Sequence, residues 1–384
     1  MRAPDAPTSL PAWIYRDAGF FELERDRVFR QAWQVVCHLS DVPNVGDFHT
    51  LELLNERIVT VRGEDGEVRS FHNVCRHRAS RLVDGPSGHC GHRMVCPYHA
   101  WSYRLDGTLA GIPKWQGFED LDLGRHGLAP VEQEVFLGFV FVRFEPGLPS
   151  VAEMMAPYAA ELAPYGLESL VPQGRVTLRM REVNWKNVAD NYSDGMHIGV
   201  AHPGLTRLFG PTYAIEAQPW VDKMSGELQA GANSSWSERL YQALLPEQAQ
   251  LPQDRQRLWA YYKLWPNVAL DVYPDQVDFM QFIPVSPTQT LIREIAYVQP
   301  GEDRRMKAAR YLNWRINRQV NLEDKALIER VQDGMGSSSY TSGPLSRHEV
   351  CLASFARRLR SLIPEARLER PPGSGQAPGR LAAE

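Results

Sequence analysis

Two short segments of the chain each pair a cysteine with a histidine, Cys75-x-His77 and Cys96-x-x-His99, and eighteen residues separate them. Two thiolates and two imidazoles suit a [2Fe–2S] centre in which the imidazoles replace thiolates on one iron. Because neutral imidazole carries less negative charge than thiolate, such a cluster is easier to reduce than an all-cysteine one. The segments therefore predict an electron-carrying centre, and we expect the rest of the chain to contain the acceptor.

Structural zinc is the alternative for this set of two cysteines and two histidines. Zinc fingers usually pair cysteine with cysteine and histidine with histidine, whereas each segment here mixes the two. The mixed spacing favours the iron–sulfur cluster. Between the two segments lie His89, Cys90 and His92, which we expect to be ordinary loop residues rather than ligands.

A second group of possible metal ligands is the segment Asp194-x-x-His197-x-x-x-x-His202. Two histidines and a carboxylate from elsewhere would form the facial triad of a non-haem Fe(II) oxygenase, which leaves positions open for O₂. The spacing of the histidines alone is a weak signal, since most histidines are structural. The electron-carrying centre upstream makes the iron interpretation the favoured one.

The third ligand is predicted from the face of a long helix near the C-terminus. Asp324 lies at helical spacing from apolar residues, namely Val320, Leu327, Ile328 and Val331. A lone carboxylate facing a core costs several kcal/mol unless a cation meets it. Iron would be that cation, and the alternative is a buried salt bridge to Arg181 or Arg315.

Composition limits the classes of protein that the chain can be. The 384 residues suffice for two domains, and a net charge of −4 gives no sign of a nucleic-acid or membrane-binding patch. Five scattered cysteines are too few for a disulfide scaffold, which indicates a reducing, cytoplasmic location. The N-terminal residues contain no apolar stretch, so we expect no signal peptide, and no run is long enough to cross a membrane.

Hydrophobic periodicity divides the chain into segments. Helical spacing covers residues 17–36, short alternating runs cover 47–144, and a long periodic helix covers 303–333. Strands alternate with helices after residue 150, so this half is predicted to be α+β. We predict an N-terminal helical segment at 1–45 that packs on the catalytic domain, a cluster domain at 46–150, a catalytic domain at 151–364 and a disordered tail at 365–384.

The motifs together resemble the oxygenase α-subunit of the Rieske non-haem iron oxygenases, which hydroxylate aromatic rings or demethylate betaines. The resemblance runs from about Trp33 to Leu362. Besides the cysteine and histidine segments, it rests on Asn184-Trp185-Lys186, Asp190-Asn191-Tyr192, Pro203, Glu323 and the run Ser342-Gly343-Pro344-Leu345-Ser346. It implies an α+β architecture, with an all-β Rieske domain followed by a helix-grip (START-like) catalytic domain built on an antiparallel sheet.

The resemblance also implies cofactors and residue roles. The cofactors are a Rieske [2Fe–2S] cluster, held by Cys75, His77, Cys96 and His99, and a mononuclear Fe(II), held by His197, His202 and Asp324. It assigns to Asp194 the link between His197 and the cluster histidine His99 of the partner subunit. The sequence departs from the family at Asp190, where glutamate is expected, and at Gly195-Met196, where a bulkier pair is common.

Electrons must come from a separate protein, because the chain has neither a Gly-rich nucleotide loop nor a ferredoxin cysteine run. The resemblance implies an NAD(P)H-dependent reductase as that partner, and a homotrimer in which electrons cross between subunits. We expect O₂ and a small organic molecule as substrates, and neither nucleic acid nor membrane as a partner.

The substrate is predicted only as one of two classes. The aromatic stretch Trp259-Ala-Tyr261-Tyr262-Lys263-Leu-Trp265 would suit a cage for a quaternary ammonium compound, but aromatic residues more often pack a core. Hydroxylation of an aromatic acid is the other prediction. Two functions of other classes stay open: a zinc-stabilised binding module, and a Rieske electron carrier fused to a ligand-binding domain.

Overall fold

The computed structural model describes residues 7–119, 121–229 and 235–373, and its N-terminal half consists of short strands. These strands are β1 (Gln34–His38), β2 (Asp47–Leu53), β3 (Glu56–Arg62), β4 (Val68–His72), β5 (Ser87–His89), β6 (Arg93–Val95), β7 (Ser102–Arg104), β8 (Leu109–Gly111), β9 (Glu132–Phe136) and β10 (Phe139–Arg143). They form antiparallel sheets ordered β4-β3-β2-β5, β6-β7-β8 and β1-β10-β9. The β architecture predicted for this half is confirmed.

The helix predicted over residues 17–36 is too long. Helix α1 (Ala18–Glu24) continues as a π-helical turn over Arg25–Phe29, and the chain is a strand from Gln34 onward. The β-branched pair Val35 and Val36 explains this change, because β1 adds to the edge of β10 and all its residues are buried. Sheet pairing overrides the helical spacing in the last part of the segment.

The C-terminal half is built on one antiparallel sheet. Its strands are β11 (Val171–Arg181), β12 (Ala214–Ala217), β13 (Val221–Glu227), β14 (Leu258–Leu264), β15 (Val268–Val272), β16 (Val277–Ser286) and β17 (Gln289–Val298). Their order across the sheet is β11-β17-β16-β15-β14-β13-β12. Neighbours in the sheet are mostly neighbours in the chain, and β11 pairs with β17 to extend it.

Helices cover this sheet and carry the candidate iron ligands. They are α2 (Val151–Met155), α3 (Ala159–Leu162), α4 (Trp185–Ser193), α5 (Ile198–Ala201), α6 (Pro203–Phe209), α7 (Trp236–Leu244), α8 (Arg304–Gly334) and α9 (Val350–Leu362). The long helix predicted over 303–333 is confirmed as α8, which begins at a cap where the Asp303 side chain accepts from the Met306 N–H at 2.8 Å. Among the described residues, no helix combines the length and apolarity needed to span a bilayer.

The two faces of the sheet have different roles. Along β14, Ala260, Tyr262 and Leu264 belong to the main hydrophobic core, whereas Trp259 and Tyr261 face the side covered by α6 and α8. This alternation follows from the period of two along a strand. The cavity described below lies on the α8 side.

The N-terminal segment packs on the catalytic half. Lys186 of α4 is fully buried, and its Nζ donates to the Glu24 carboxylate at 2.7 Å and to the Ile14 carbonyl at 3.0 Å. At the other end of the chain, the predicted tail includes a short 3₁₀ turn at Pro364–Arg367 in which Ala366 is fully buried. Residues 374–384 of that predicted tail lie outside the described residues.

Candidate metal centres and the adjoining cavity

The two cysteine–histidine segments form loops of the same backbone shape, Cys75–Ser80 and Cys96–Trp101. In each loop the cysteine N–H donates to the carbonyl of the last residue at 2.8 Å, and the cysteine carbonyl accepts from the alanine N–H at 3.0 Å. Both alanines, Ala79 and Ala100, take left-handed backbone angles, with φ of 57° and 56°. The loops therefore present their side chains as a matched pair.

The side chains at these loops converge. The rings of His77 and His99 are 4.7 Å apart, and Trp101 stacks on His77 at 4.9 Å. The Sγ of Cys75 lies 3.3 Å from the Tyr103 hydroxyl. The Nδ1 atom of His77 is buried and has no hydrogen-bond partner among the described residues. A buried ring nitrogen without a protein partner is available to bind a metal.

The backbone around Cys96 favours a thiolate. Burial opposes ionisation of this cysteine, but N–H groups of Tyr98 and His99 point at its sulfur and lower its pKa below the usual thiol value. Cys90 behaves differently, because burial raises its pKa to about 11. The ring of His89 contacts Asp47 and that of His92 contacts Glu64, so the structure does not bring these two loop histidines to the group.

The second group of donors joins two distant parts of the chain. His197 and His202 flank α5, and Asp324 comes from α8; one donor atom from each lies within 4.8 Å of the others. The two Nε2 atoms are 3.1 Å apart, and Asp324 Oδ1 lies 2.9 Å from His202 Nε2 and 3.5 Å from His197 Nε2. The geometry brings together the residues predicted as a facial triad.

Carboxylates fix the orientation of both histidine rings. His197 Nδ1 contacts Asp194 at 3.1 Å, and His202 Nδ1 contacts Glu323 at 2.8 Å. Because each Nδ1–H donates to a carboxylate, the Nε2 lone pairs of the two rings face each other and Asp324. Three electron-rich donors directed at one point require a cation, so an iron ion fits this group.

The close contacts between the histidines and carboxylates of this group shift their pKa values. Burial would raise the pKa of Asp324, but hydrogen bonds from His197 and His202 lower it to about 2. Burial would lower the pKa of His197, but Asp194 and Asp324 raise it to about 9. Without a metal, a proton is therefore held at the point where a metal would bind.

The salt-bridge alternative for Asp324 is not what the structure shows. Arg181 donates to the Met180 carbonyl and Arg315 to the Ser237 hydroxyl, whereas Asp324 accepts from Asn191 Nδ2 at 2.8 Å. One detail of the helical-face argument was wrong, because Val331 is 47% exposed. The apolar face of α8 drifts away from the core one turn after Ile328, as a straight helix packed on a twisted sheet does.

A cavity of about 110 Å³ opens beside the triad, between the sheet and α8. Its lining is acidic and aromatic: Asp194, Asp271, Asp278, Glu294 and Asp324 with Tyr192, Tyr213, Tyr261 and Tyr273, completed by Asn191, Asn317, Asn321, His197, Ile198, His202, Leu205, Met280 and Val320. No lysine or arginine lines the cavity within the described ranges.

The aromatic stretch predicted as a cage contributes only Tyr261 to this cavity. Trp259 is fully buried against Tyr241 and Tyr273, while Tyr262 and Trp265 belong to the main core on the opposite face of the sheet. The prediction took contiguous residues as one site, but alternate residues of a strand face opposite ways.

Sequence reasoning missed a large part of the cavity wall, including Tyr213, Asp271, Tyr273, Asp278 and Asn317. A usable signal was present in the run that contains β15 and β16, where aspartates interrupt buried apolar strands. Buried acidic residues in such strands indicate a function, since an uncompensated charge is costly there.

Asp190, which departs from the family pattern, has a structural role. It accepts from the Tyr15 hydroxyl at 2.7 Å, and burial raises its pKa to about 6. This contact ties the N-terminal segment to α4, next to the Asn191 that supports Asp324. The shorter acid is accommodated by a tyrosine and does not contact the triad.

The fold and the donor groups define a class: an electron-carrying β domain joined to a helix-covered antiparallel sheet that holds a two-histidine, one-carboxylate group. Family models agree with both halves. Residues 32–122 match the Rieske [2Fe-2S] domain, and residues 167–365 match the ring hydroxylating alpha subunit (catalytic domain).

Curated relatives extend the agreement over nearly the whole chain. The carnitine monooxygenase oxygenase subunit of Escherichia coli (strain K12) is 31% identical over 342 residues, which are 88% of this chain and 87% of the relative. The 2-aminobenzenesulfonate 2,3-dioxygenase subunit alpha of Alcaligenes sp is 28% identical over 73% of this chain and 72% of the relative.

Solved structures share the fold. A quaternary ammonium Rieske monooxygenase in complex with L-carnitine superposes with a TM-score of 0.77 at 25% identity, over 94% of this chain and 96% of the other. Naphthalene 1,2-dioxygenase from Rhodococcus sp. superposes with a TM-score of 0.74 at 19% identity, over 92% and 94%, which shows the shared fold alone.

The chain therefore belongs to the Rieske non-haem iron oxygenases, as an oxygenase α-subunit. It is an oxidoreductase with a Rieske [2Fe–2S] domain and a catalytic domain of the kind that binds mononuclear iron. The predicted family, fold class, cofactors and enzymatic class are confirmed, and the zinc-module and electron-carrier alternatives are not supported.

Proposed function

We propose that this oxygenase inserts oxygen into a C–H bond of a small ammonium compound. Cys75, His77, Cys96 and His99 hold the cluster, and His197, His202 and Asp324 hold the iron. The observation that supports the substrate class is the cavity beside the triad, which is lined by tyrosines and carboxylates and by no described lysine or arginine. Tyrosine rings and carboxylates bind organic cations well.

The atoms and electrons of the proposed reaction balance when a separate reductase supplies two electrons. The two iron centres supply stored electrons and a binding position for O₂. One oxygen atom enters the C–H bond, and the other leaves as water with two electrons and two protons. On an N-methyl group the product is N–CH₂OH, which breaks its C–N bond to give formaldehyde and the demethylated amine.

Hydroxylation of an aromatic acid has less support in this cavity. A buried carboxylate on a substrate needs a cation or several hydrogen-bond donors. The described lining holds no lysine or arginine and adds carboxylates of its own. Carboxylates that face each other in a small cavity repel, so an aromatic acid is disfavoured.

The chain's own residues hold the reacting groups. Asp194 and Glu323 accept the Nδ1–H of His197 and His202, which keeps both Nε2 atoms directed at the iron position. Asn191 donates to Asp324 and thereby limits rotation of that carboxylate. These hydrogen bonds leave the side of the iron group that faces the cavity open to substrate and O₂.

We also propose a homotrimer supplied by a separate NAD(P)H-dependent reductase in the cytoplasm. Asp194 would link His197 to His99 of the partner subunit, so that electrons cross between subunits. A solved structure of a quaternary ammonium Rieske monooxygenase is described as giving insights into inter-subunit electron transfer, which supports this arrangement. No disulfide joins any of the five cysteines, which supports the cytoplasmic location.

Mixed trimers test the crossing of electrons between subunits. We expect subunits with His99→Ala and subunits with Asp324→Ala to be inactive when assembled separately. Trimers reassembled from both should regain activity, because an intact cluster then neighbours an intact iron site. Reassembled trimers that stay inactive while containing both metals would contradict the arrangement.

The substrate class is tested by O₂ uptake and formaldehyde release with a reconstituted reductase. We expect trimethylammonium compounds to give formaldehyde in step with O₂ consumed. Benzoate-type acids of similar size serve as the comparison and should give neither. Oxidation of the acids without oxidation of any ammonium compound would overturn the proposed function.

A further inference from the structure

Two aspartates face each other across neighbouring strands in the wall of the cavity. Asp271 of β15 and Asp278 of β16 are direct partners in the antiparallel register, so their side chains lie on the same face of the sheet. Both line the cavity beside the triad, and Asp271 is only 8% exposed. Like charges directly opposite each other destabilise a sheet.

The partners of this pair are neutral. Asp271 accepts from the hydroxyls of Tyr192 and Tyr273, and Asp278 accepts from the Gln276 amide at 2.9 Å. In the part of the chain that the structure describes, no ion pair joins either aspartate to a lysine or arginine. Burial raises the pKa of Asp271 to about 7, as expected for a carboxylate without a cation.

Two of the cations near the cavity are held by other acids. Lys263 lies on the same face of the sheet, but its Nζ is held by Asp222 at 3.1 Å and by the Ala189 carbonyl at 3.2 Å. Arg179 pairs with Glu294, which neutralises the remaining acid of the cavity wall. Among the described residues, the aspartate pair is therefore the acidic part of the wall that no ion pair neutralises.

We infer that Asp271 and Asp278 determine substrate specificity, by binding the ammonium group of the substrate and rejecting molecules that carry a carboxylate. This inference rests on the proposed function and narrows it to carboxylate-free ammonium compounds. It separates this chain from relatives named for carnitine and glycine betaine, whose named compounds combine an ammonium group with a carboxylate.

The charge balance of the cavity leads to this specificity. A divalent iron is balanced by Asp324 and Asp194. Burial and the neighbouring Asp271 raise the pKa of Asp278 well above its usual value, so the pair tends to take up protons, and a bound ammonium group would supply the charge that keeps both carboxylates ionised. The rings of Tyr192 and Tyr273 flank Tyr261 at centroid distances of 6.4 and 5.9 Å and near-perpendicular angles, which gives a cation aromatic faces beside the pair. A substrate carboxylate inside this cavity would meet repulsion, because the described lining holds no lysine or arginine.

Choline and glycine betaine are a matched pair of probes, because they share the trimethylammonium group and differ in carrying CH₂OH or carboxylate. We expect the wild-type enzyme to have a kcat/KM for choline about a hundredfold above that for glycine betaine. The Asp271→Asn/Asp278→Asn variant should lose about a hundredfold in kcat/KM for choline, mainly through KM, and lose nothing for glycine betaine.

Asp275→Asn is the control variant. Asp275 is also a buried aspartate that accepts from a tyrosine and an asparagine, Tyr241 and Asn313, but it does not line the cavity. We expect this variant to keep the wild-type ratio of the two substrates. Cluster absorbance and iron content confirm that each variant has folded. If the double variant does not fold, the single variants Asp271→Asn and Asp278→Asn are measured in its place.

The outcomes separate this inference from the proposed function. If wild-type enzyme oxidises glycine betaine in preference to choline, the inference fails and the proposed function stands. An unchanged substrate ratio in the folded double variant would equally overturn the role of the pair. If no ammonium compound is oxidised, the proposed function itself fails.

Discussion

The two groups of metal donors are built in different ways. The cluster loops, Cys75–Ser80 and Cys96–Trp101, each hold a cysteine and a histidine within a few residues and close on themselves through backbone hydrogen bonds. The iron group joins His202 to Asp324, which lies 122 residues further along the chain. A local loop can be recognised in a sequence by spacing, whereas a long-range group depends on how a helix packs on a sheet.

The two groups also differ in what surrounds the histidines. His77 stacks on Trp101 and its buried Nδ1 has no protein partner among the described residues. The histidines of the iron group are held by carboxylates, and His202 is almost fully buried. The backbone loops therefore position the ligands of the cluster, whereas charged carboxylates position the histidines of the iron group. Substitutions should affect the two groups independently.

The largest expected effect is that of Asp324→Ala on the iron group. Without this carboxylate the two histidines hold iron poorly, so iron should fall from about three atoms per chain to about two, with loss of turnover. The visible spectrum of the cluster should be unchanged. Asp333→Ala, on the exposed part of the same helix, is the control and should keep full iron and activity. Full iron in Asp324→Ala would move the third ligand elsewhere.

His99→Cys should change the cluster and leave the iron group intact. A third thiolate adds negative charge, so the reduction potential should fall by about 100 mV or more. Protein-film voltammetry measures the shift, and His92→Cys in the loop between the two segments controls for an added thiol. An unchanged potential in His99→Cys would mean that His99 is not a ligand.

A smaller effect concerns pH and iron binding. Because Asp194 and Asp324 raise the pKa of His197 to about 9 in the metal-free protein, iron must displace a proton at neutral pH. The folded pKa exceeds the unfolded value near 6.5, so protonation stabilises the metal-free protein at low pH, and this is lost as pH rises through about 9.

Iron affinity should therefore increase by up to about tenfold per pH unit between pH 7 and 9. Titration of the metal-free enzyme with Fe(II) at several pH values measures this. The cluster, whose histidines contact no carboxylate among the described residues, should stay bound over the same range. An iron affinity that does not change with pH would contradict the claim that iron displaces a proton from His197.

The sequence was sufficient for features that depend on local spacing. The strands of the β domain, the helix over Arg304–Gly334 and the donors of the cluster all follow from periodicity or motif spacing. Asp324 was also predicted, because a lone acid among apolar residues of a helix has few explanations. The cost of burying the carboxylate of Asp324 was enough to predict a nearby cation, without knowing how the helix packs.

Features that depend on which strands pair could not be predicted in this way. Asp271 and Asp278 lie seven positions apart on either side of one loop, and only the register of β15 with β16 makes them partners. The start of β1 at Gln34 likewise depends on its pairing with β10, more than a hundred residues away. The register between strands determines which residues line the cavity, and this register cannot be inferred from the residue spacing within one strand.

The role of Asp194 as the connection between the two groups is tested by single-turnover mixing of Asp194→Asn. Both metals should still bind, since asparagine keeps the size of the side chain and removes only the charge that His197 and, in the proposed trimer, His99 of the partner subunit face. Glu323→Gln, the equivalent change beside His202, is the matched control. With substrate and O₂ present, we expect the cluster of Asp194→Asn to be reoxidised about a hundredfold more slowly than that of the control. Reoxidation at the rate of the control, with normal product yield, would contradict the account.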